Sequence, residues 1–459
     1  MYKRGIYLSV IIGLFSVGVV RSESKLSPVR AIVVQPKWNV DDFSTPDRFE
    51  SWMRNQLEQA QTKFVSGYPN LVVLTELNGI GLLLQGSLWS RRSGRFDVAV
   101  ALTLFQRLPE VAYHSLTDKT SLTRSLLLTL APEVIEQYVG VCSHLAKDFK
   151  VWLVCGSAPL PHLVQVGDRI KISGSDVYNQ VLMFDPKGQL LATADKVYLT
   201  DLEGPGGLDL SKGLLTELRA RPTSVGTLGF ATSLDAFKPD VINHLEKQKA
   251  NVLVQVDANG QSWTGTEQGV STHRDQPLAW LDSSWQVVQS SPTFLYALNP
   301  MVVGNFLDAS FDGQSAIVSK AARAPELQGY VMTPPRKGFL ALMPWVATGP
   351  SNELRSIGQK LSAGSGHTYE NHYVTGVLAA DLWLPMEPQV LDLQPHEQAL
   401  DALVRGGFFE RPWVGWRYTF VLFWALLTGL GVGLLGRRRF LGGLSLMVLG
   451  GLGVVLTLF

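Results

Sequence analysis

The chain has 459 residues, of which 17% are charged, and its formal net charge is +1. This length accommodates one large domain with membrane segments, or two to three ordinary domains. The charged fraction lies below the quarter that is usual for soluble proteins, and the near-zero net charge excludes a bulk field that would attract nucleic acid.

The first segment, residues 1–22, is predicted to be a signal peptide or a signal anchor. Lys3 and Arg4 form a basic start, and an uncharged, mostly apolar stretch of 15 residues follows from Ile6 to Val20. This length suits the apolar core of a signal peptide better than a full bilayer span. Cleavage after Ser22 and retention as an anchor stay open, and both export the rest of the chain.

The following region predicts strands that alternate with helices. Residues 31–36 and 70–76 are short apolar runs rich in β-branched residues, which is typical of buried strands. Apolar residues at helical spacing predict a helix over 47–65. Another helix is predicted over 133–149, directly before a strand at 150–155. This order of elements indicates an α/β fold.

A hairpin is predicted over residues 178–199, where two strand-like runs flank the turn sequence Asp185–Gly188. Strands at 224–234 and 251–260 enclose another predicted helix. Later strands are FLYALNP, GQSAIV and TGVLAADLWL, the last of them at residues 375–384. Phosphate loops, dinucleotide fingerprints and metal-ligand spacings do not occur, so we expect no cofactor and no metal.

Two membrane spans are predicted at the C-terminus, as a transmembrane helical hairpin. Residues 418–435 and 440–459 carry no charge, and each stretch is long enough to cross the hydrocarbon core. The basic run Arg437–Arg439 between them is expected on the cytoplasmic side. Residues 23–416 are then extracytoplasmic, at the cell membrane, in agreement with the basic N-terminus. Prolines in residues 386–416 indicate an irregular connector.

Polar residues that end or follow buried strands are the candidate site residues, because ligands and catalytic groups collect at strand ends in α/β folds. Glu76 follows NLVVLT, Lys196 opens KVYL after the hairpin, and Ser233 follows GFAT. Taken singly, a helix cap, a surface charge and a turn residue would also explain them. Cys142 and Cys155 are interpreted as buried structural thiols, and a disulfide between them would need an oxidising compartment.

The order of these segments resembles the nitrilase, or carbon–nitrogen hydrolase, superfamily over most of residues 31–384. LVVLTELNG resembles the strand that carries the family's catalytic glutamate, and YNQVLMFDPKGQLLATADKVYL resembles the hairpin that carries its catalytic lysine. GTLGFATSLDAFKPDVINHL resembles the family's nucleophile segment. The resemblance implies a four-layer α-β-β-α sandwich over residues 30–385, with Glu76 as base and Lys196 as charge stabiliser.

The sequence departs from the family at the nucleophile. With Asp235 and Pro239 in register, Ser233 occupies the position of the family's cysteine. A serine hydroxyl is far less acidic than a thiol, whose reference pKa is about 8.5. Two hypotheses stay open. Ser233 acts as the nucleophile with Glu76 and Lys196, or the protein is a pseudoenzyme that has kept a binding or scaffold role.

The resemblance carries three further expectations. Glu203 matches the family's accessory glutamate in position only, and a solvated loop charge explains it equally well. Insertions are predicted near residues 80–130 and 320–370. They are expected to line the pocket, to contact the bilayer or to form an additional layer on the domain surface, and these alternatives stay open. The expected partners are the lipid bilayer, a small amide or acyl substrate for hydrolysis or acyl transfer, and a second copy in a homodimer; nucleic acid is not expected.

Overall fold

The computed structural model describes residues 26–167, 169–260, 276–330, 333–344, 374–385 and 392–411. Its centre consists of two β-sheets that share one apolar core, and helices cover the outer face of each sheet. The strands are β1 (Leu26–Gln35), β2 (Lys37–Trp38), β3 (Asn70–Val73), β4 (Trp152–Val166), β5 (Arg169–Phe184), β6 (Leu190–Asp195), β7 (Arg221–Thr223), β8 (Gly226–Phe230), β9 (Val252–Val254), β10 (Tyr296–Asn299), β11 (Val303–Phe306), β12 (Ala309–Asp312), β13 (Ala316–Ser319), β14 (Phe339–Leu342), β15 (Gly376–Pro385) and β16 (Phe408–Phe409).

The helices alternate with these strands, so the mixed α/β fold that the sequence predicts is confirmed. The α-helices are α1 (Pro46–Gln61), α2 (Leu88–Arg92), α3 (Phe96–Gln106), α4 (Leu108–Thr117), α5 (Leu122–Phe149), α6 (Pro239–Lys247), α7 (Gln276–Trp280), α8 (Gln286–Ser290) and α9 (Pro395–Val404). Short 3-10 helices lie at Val40–Phe43, Ile80–Leu84 and Ser233–Phe237.

The first sheet has seven strands in the order β15-β1-β3-β4-β5-β16, with β6 paired to β5. Successive residues of a strand point to opposite faces. Ala31 and Val33 therefore join the core between the two sheets, while Ile32 and Val34 join the core under helices α1 and α5. Burial on both faces explains why the sequence of β1 is apolar throughout rather than alternating.

The second sheet has six strands in the order β14-β13-β10-β9-β8-β7, with helix α6 against its outer side. Strands β8, β9 and β10 run parallel to one another. Their carboxyl ends therefore lie at one edge of the sheet, where Ser233 and Asp257 follow β8 and β9. The predicted hairpin is confirmed as the antiparallel pair β5 and β6.

Helix α5 is longer than the sequence predicts. It begins at Leu122 rather than at residue 133, because the Ser121 side chain caps it by accepting from the Arg124 N–H, and it continues through Pro132. A proline inside a helix removes one backbone hydrogen bond. Here the residues on both sides of Pro132, such as Leu128 and Ile135, are buried, and their packing offsets that loss.

The connector predicted at 386–416 is wrong in its middle part. Residues 395–404 form helix α9, whose Ala399 and Leu400 join the core under the first sheet. Pro395 occupies the first turn of this helix, where a missing N–H costs no intrahelical hydrogen bond. The proline therefore starts a helix instead of preventing one.

The segments predicted to meet the membrane, residues 1–22, 418–435 and 440–459, lie outside the described residues. Within the described ranges, no helix combines the length and the apolar character needed to cross a membrane. In the first predicted insertion, residues 88–117 form helices α2 to α4; α3 and α4 pack beside α5, and α2 packs on α3. The second predicted insertion is described at 320–330 and 333–344, where it contributes β14.

A disulfide bond joins Cys142 in α5 to Cys155 in β4, with Cα atoms 6.0 Å apart. Both cysteines are fully buried, so the expected burial is confirmed, but the side chains are bonded rather than free thiols. The bond fastens α5 to the strand that follows it.

Candidate functional site

The ammonium group of Lys196 lies buried between two carboxylates. Lys196 directly follows β6, and its Nζ donates to Glu76 Oε1 at 2.8 Å and to Glu203 Oε2 at 2.7 Å. Its side chain is 1% exposed. Burial alone lowers the pKa of Lys196, but the two carboxylates outweigh burial and raise this pKa above its usual value. The lysine is therefore a permanent cation inside the protein.

Glu76 lies in the loop after β3 and is held by donors from three segments. Its Oε1 accepts from Lys196 Nζ and from Asn179 Nδ2 at 2.8 Å, and its Oε2 accepts from the Ala258 N–H at 2.9 Å. Burial raises the pKa of Glu76; the Lys196 ammonium counteracts this in part, and the nearby Glu203 carboxylate adds to it. A carboxylate with a raised pKa is a stronger base than an exposed one.

Glu203 completes the cluster, and its 2% exposure excludes a solvated loop charge. Besides the Lys196 ammonium, its Oε2 accepts from the Thr200 N–H and from the Thr200 hydroxyl, both at 2.9 Å. Its Oε1 accepts from Asn179 Nδ2 at 2.7 Å. Although burial raises the pKa of Glu203, the Lys196 charge and these hydrogen bonds lower it overall. The surroundings therefore favour the ionised form of Glu203, whereas the pKa of Glu76 is raised.

Ser233 stands at a strained turn between β8 and a 3-10 helix. Its φ is +48°, a left-handed conformation that costs a residue with a side chain about 1–2 kcal/mol. The Ser233 N–H donates to the Val256 carbonyl at 3.0 Å, which fixes the turn to the end of β9. The residue is 8% exposed. Strain of this kind persists where the surrounding structure over-determines the conformation, and it clusters at active sites.

Backbone hydrogen bonds place the Ser233 turn beside both charged segments. Asp235, two residues after Ser233, accepts from the N–H groups of Val197 and Tyr198 at 3.1 and 2.7 Å, directly after Lys196. On the other side, Val256 lies two residues before Ala258, whose N–H binds Glu76. The structure thus brings the four residues predicted from the sequence, Glu76, Lys196, Ser233 and Glu203, into one region.

Asn179 is a site residue that the sequence argument missed. Its amide nitrogen donates to both glutamates and holds them at a fixed separation around the lysine. The register of the predicted hairpin could have identified Asn179, because this residue lies opposite Lys196, whose N–H donates to the Asn179 carbonyl at 2.9 Å. A residue directly opposite the lysine in a predicted hairpin is expected to share its surroundings.

Two buried aspartates, Asp235 and Asp257, also border the site. The sequence did not predict either of them as a site residue. Burial raises the pKa of Asp235 to about 7 despite the two backbone N–H groups that bind it. Burial also raises the pKa of Asp257 to about 7, with a further contribution from the Glu76 charge. Asp257 Oδ2 accepts from Gln255 Nε2 at 3.0 Å and from Trp280 Nε1 at 3.2 Å. The sequence signal for Asp257 was a carboxylate after the apolar run NVLVQV.

No group of three or more histidine, cysteine, aspartate or glutamate side chains within the described ranges is arranged to hold a metal ion. The side chains of the cluster supply a buried cation, a carboxylate with a raised pKa and, in the adjoining turn, the Ser233 hydroxyl. This combination suits proton transfer, attack on a polarised carbon and stabilisation of a developing negative charge.

A family model described as carbon-nitrogen hydrolase matches residues 109–321. The match contains Lys196, Glu203 and Ser233, whereas Glu76 lies ahead of it. It supports a carbon–nitrogen hydrolase domain in this chain. No curated protein matches the chain.

Several solved structures are similar to the chain at low sequence identity. The carbon-nitrogen hydrolase from Helicobacter pylori is 19% identical, with 74% of this chain and 96% of that chain covered and a TM-score of 0.43. Nit3 from Saccharomyces cerevisiae, a member of the nitrilase superfamily, is 18% identical over 74% and 96%, with a TM-score of 0.39. A mutant amidase from Nesterenkonia sp. AN1 is 15% identical over 73% and 98%, with a TM-score of 0.37.

Proposed function

We propose that the protein is a membrane-anchored, extracytoplasmic carbon–nitrogen hydrolase that acts on a small amide or acyl substrate through Glu76, Lys196 and Ser233. The observation that carries this proposal is the buried lysine with two carboxylates beside the strained serine turn. Buried ionic groups are often less stabilising than apolar side chains of similar volume. Perturbed groups of this kind cluster at functional sites because catalysis requires them.

In the proposed reaction, Ser233 Oγ attacks the carbonyl carbon of the amide while Glu76 takes the hydroxyl proton. The Lys196 ammonium stabilises the negative charge that develops on the carbonyl oxygen. When the C–N bond breaks, the proton passes from Glu76 to the leaving amine, and the acyl group remains on Ser233 as an ester. Water, or a second amine or hydroxyl in acyl transfer, then releases the acyl group and returns a proton to Ser233 Oγ through Glu76.

The environment of Glu76 is suited to a serine nucleophile. A hydroxyl gives up its proton less readily than a thiol, so it needs a stronger base. Burial supplies this by raising the pKa of Glu76, while Glu203 holds the Lys196 charge in place. Low dielectric around the cluster also strengthens the attraction between the ammonium and a developing oxyanion.

The disulfide supports the proposed location. Cytosolic thiols are kept reduced, whereas disulfide bonds persist in exported proteins. The bond between Cys142 and Cys155 therefore favours an oxidising compartment, which agrees with export by residues 1–22 and anchoring by residues 418–459. The bilayer and a second copy in a homodimer are the proposed partners; flotation with vesicles and light scattering in detergent test them.

The enzymatic proposal is tested by ammonia release from a series of short aliphatic amides. We expect turnover by the native protein, about a thousandfold less with Ser233→Ala or Glu76→Gln, and activity in Ser233→Cys. Circular dichroism controls for folding. Turnover that is absent from the native protein and present only in Ser233→Cys would contradict the serine enzyme and favour the pseudoenzyme with a binding role.

A further inference from the structure

Helices α2 and α3 pack with hydroxyl groups between them and apolar side chains facing outward. Ser90 Oγ lies 2.9 Å from Thr103 Oγ1, and both residues are buried. Trp89 beside Ser90 is 69% exposed, and Phe105 beyond Thr103 is 55% exposed. Helix α3 also packs Ala99, Val100 and Leu104 against the core, so it is apolar on both sides, whereas a helix at a water-facing surface normally has a polar outer face.

The exposed apolar residues of α3 lie on one face. Val98, Ala101 and Phe105 follow one another at intervals of three and four residues, which aligns them along the helix. Single exposed apolar side chains are common on soluble proteins, but clusters of them mark interaction sites. Of the sixteen large apolar side chains exposed in the described residues, seven come from residues 88–122. We call Leu88, Trp89, Val98, Phe105, Leu108 and Leu116 the insertion face.

The charge of this region favours an anionic partner. Residues 88–116 contain four arginines and two acidic residues, so the region keeps a positive surplus. Arg95 pairs with Asp97 and Arg107 with Glu133. Arg92 and Arg95 are exposed next to the apolar side chains. Exposed tryptophan together with arginine is the composition found at membrane–water interfaces, where the arginines meet anionic headgroups.

The chain leaves the described part of the structure beside the insertion face. Arg107, at the junction of α3 and α4, pairs with Glu133 of α5 at 3.0 Å, and Arg411 pairs with Glu136 of α5 at 2.6 Å. Residues three apart on a helix are neighbours. Only residues 412–417 separate Arg411 from the first predicted span, and even fully extended they reach no more than about 21 Å. The bilayer entered at residue 418 is therefore within reach of the insertion face.

We propose that the insertion face rests on the anionic surface of the bilayer in which the chain is anchored. The inference depends on the membrane anchor proposed above. It commits to lipid as the occupant because the chain enters the predicted span next to this face and because the positive surplus of residues 88–116 complements anionic headgroups. The insertion then fixes the orientation of the whole domain relative to the membrane.

The test uses the full chain in vesicles of phosphatidylcholine and phosphatidylglycerol whose acyl chains carry bromine, a quencher of tryptophan fluorescence. We expect a smaller quenched fraction in Trp89→Phe than in the native protein, because a tryptophan in contact with lipid has been removed. Trp383→Phe is the matched control. Trp383 is 48% exposed on β15, at the opposite edge of the seven-stranded sheet from β16, so its loss leaves the quenched fraction equal or higher.

The outcomes separate this inference from the anchor on which it rests. Trp413 and Trp416 precede the first predicted span and remain in every variant. Quenching that is equal in the native protein and Trp89→Phe overturns the inference and leaves the anchor standing. Quenching that is absent from all variants overturns both. An unchanged quenched fraction together with a lower dimer fraction in Trp89→Phe assigns the face to a second copy instead of lipid, which also overturns it.

Discussion

Two buried cations in this protein have different carboxylate partners. Lys196, 1% exposed, lies between Glu76 and Glu203. Arg221, 9% exposed, pairs with the single carboxylate of Glu397, which also accepts the Thr193 N–H at 2.8 Å. The arginine pair is balanced in charge and fastens α9 to β7 of the second sheet, while the Thr193 hydrogen bond ties the same glutamate to β6 of the first sheet. The lysine cluster, by contrast, has a surplus carboxylate.

The difference in charge balance indicates that the arginine pair stabilises the fold, whereas the lysine cluster is suited to proton transfer. A balanced buried pair contains no like charges that repel each other. A second carboxylate around one ammonium cannot be fully compensated, so burial and like charge raise the pKa of Glu76. The surplus carboxylate is a cost for folding that a proton-transfer role explains.

The largest effect is expected for removal of the cation in the surplus cluster. Lys196→Met should lower turnover of a short amide by about 10²–10³, because the developing oxyanion loses its charged donor. Steady-state kinetics measures this. Lys187→Met, in the exposed turn of the same hairpin, is the control and should keep native turnover. If turnover by Lys196→Met stays within a factor of ten of native, the Lys196 ammonium does not stabilise the oxyanion as proposed.

The balanced pair should respond in stability rather than in chemistry. Arg221→Met leaves Glu397 buried without its cation, so we expect the free energy of unfolding to fall by about 3–5 kcal/mol. Urea unfolding in detergent measures it. The double variant Arg221→Met with Glu397→Gln should recover much of this loss, and turnover per folded molecule should stay native. Reduced turnover in the folded Arg221→Met protein would contradict the claim that this pair affects stability and not activity.

Loss of the disulfide should have a smaller effect on stability and should not alter the charge clusters. Cys142 and Cys155 are 13 residues apart in sequence, and closing a loop of this size contributes about 3 kcal/mol. Cys142→Ala should lower the melting temperature under oxidising conditions, and reductant should remove most of the difference from native. If reductant leaves the melting temperature of the native protein unchanged, the disulfide does not stabilise the fold.

The smallest effect is expected for Glu203→Gln, and it is a shift in pH dependence. The Glu203 charge contributes to the raised pKa of Glu76, so its removal should lower that pKa. Glu76 acts as a base only when ionised; activity is therefore lost as pH falls through its pKa, and a lower pKa moves this loss to lower pH. The acid limb of kcat/KM against pH measures the shift. A limb that stays in place or moves to higher pH would show that Glu203 does not set the Glu76 proton affinity.

Sequence reasoning found the parts of the site that local pattern encodes. Glu76 and Ser233 follow apolar runs, and Lys196 follows a hairpin whose turn is visible in Asp185–Gly188. The pattern was less informative where long-range packing overrides it. It started a helix only after Pro132, at residue 133, and it treated Pro395 as a helix breaker. Proline is unfavourable in isolation, and the packing that compensates for it involves residues elsewhere in the chain.

The sequence by itself therefore determined the alternation of strands and helices. The export and anchoring signals at the two ends and the serine at the position of the family's nucleophile stay predictions. Only the tertiary structure decided that Glu203 is buried, that Asn179 bridges the two glutamates, and that Cys142 bonds to Cys155. Apolar periodicity is a local property that a short segment carries. The charge balance around Lys196 depends on residues up to 120 positions away, and it exists only when folding removes them all from water.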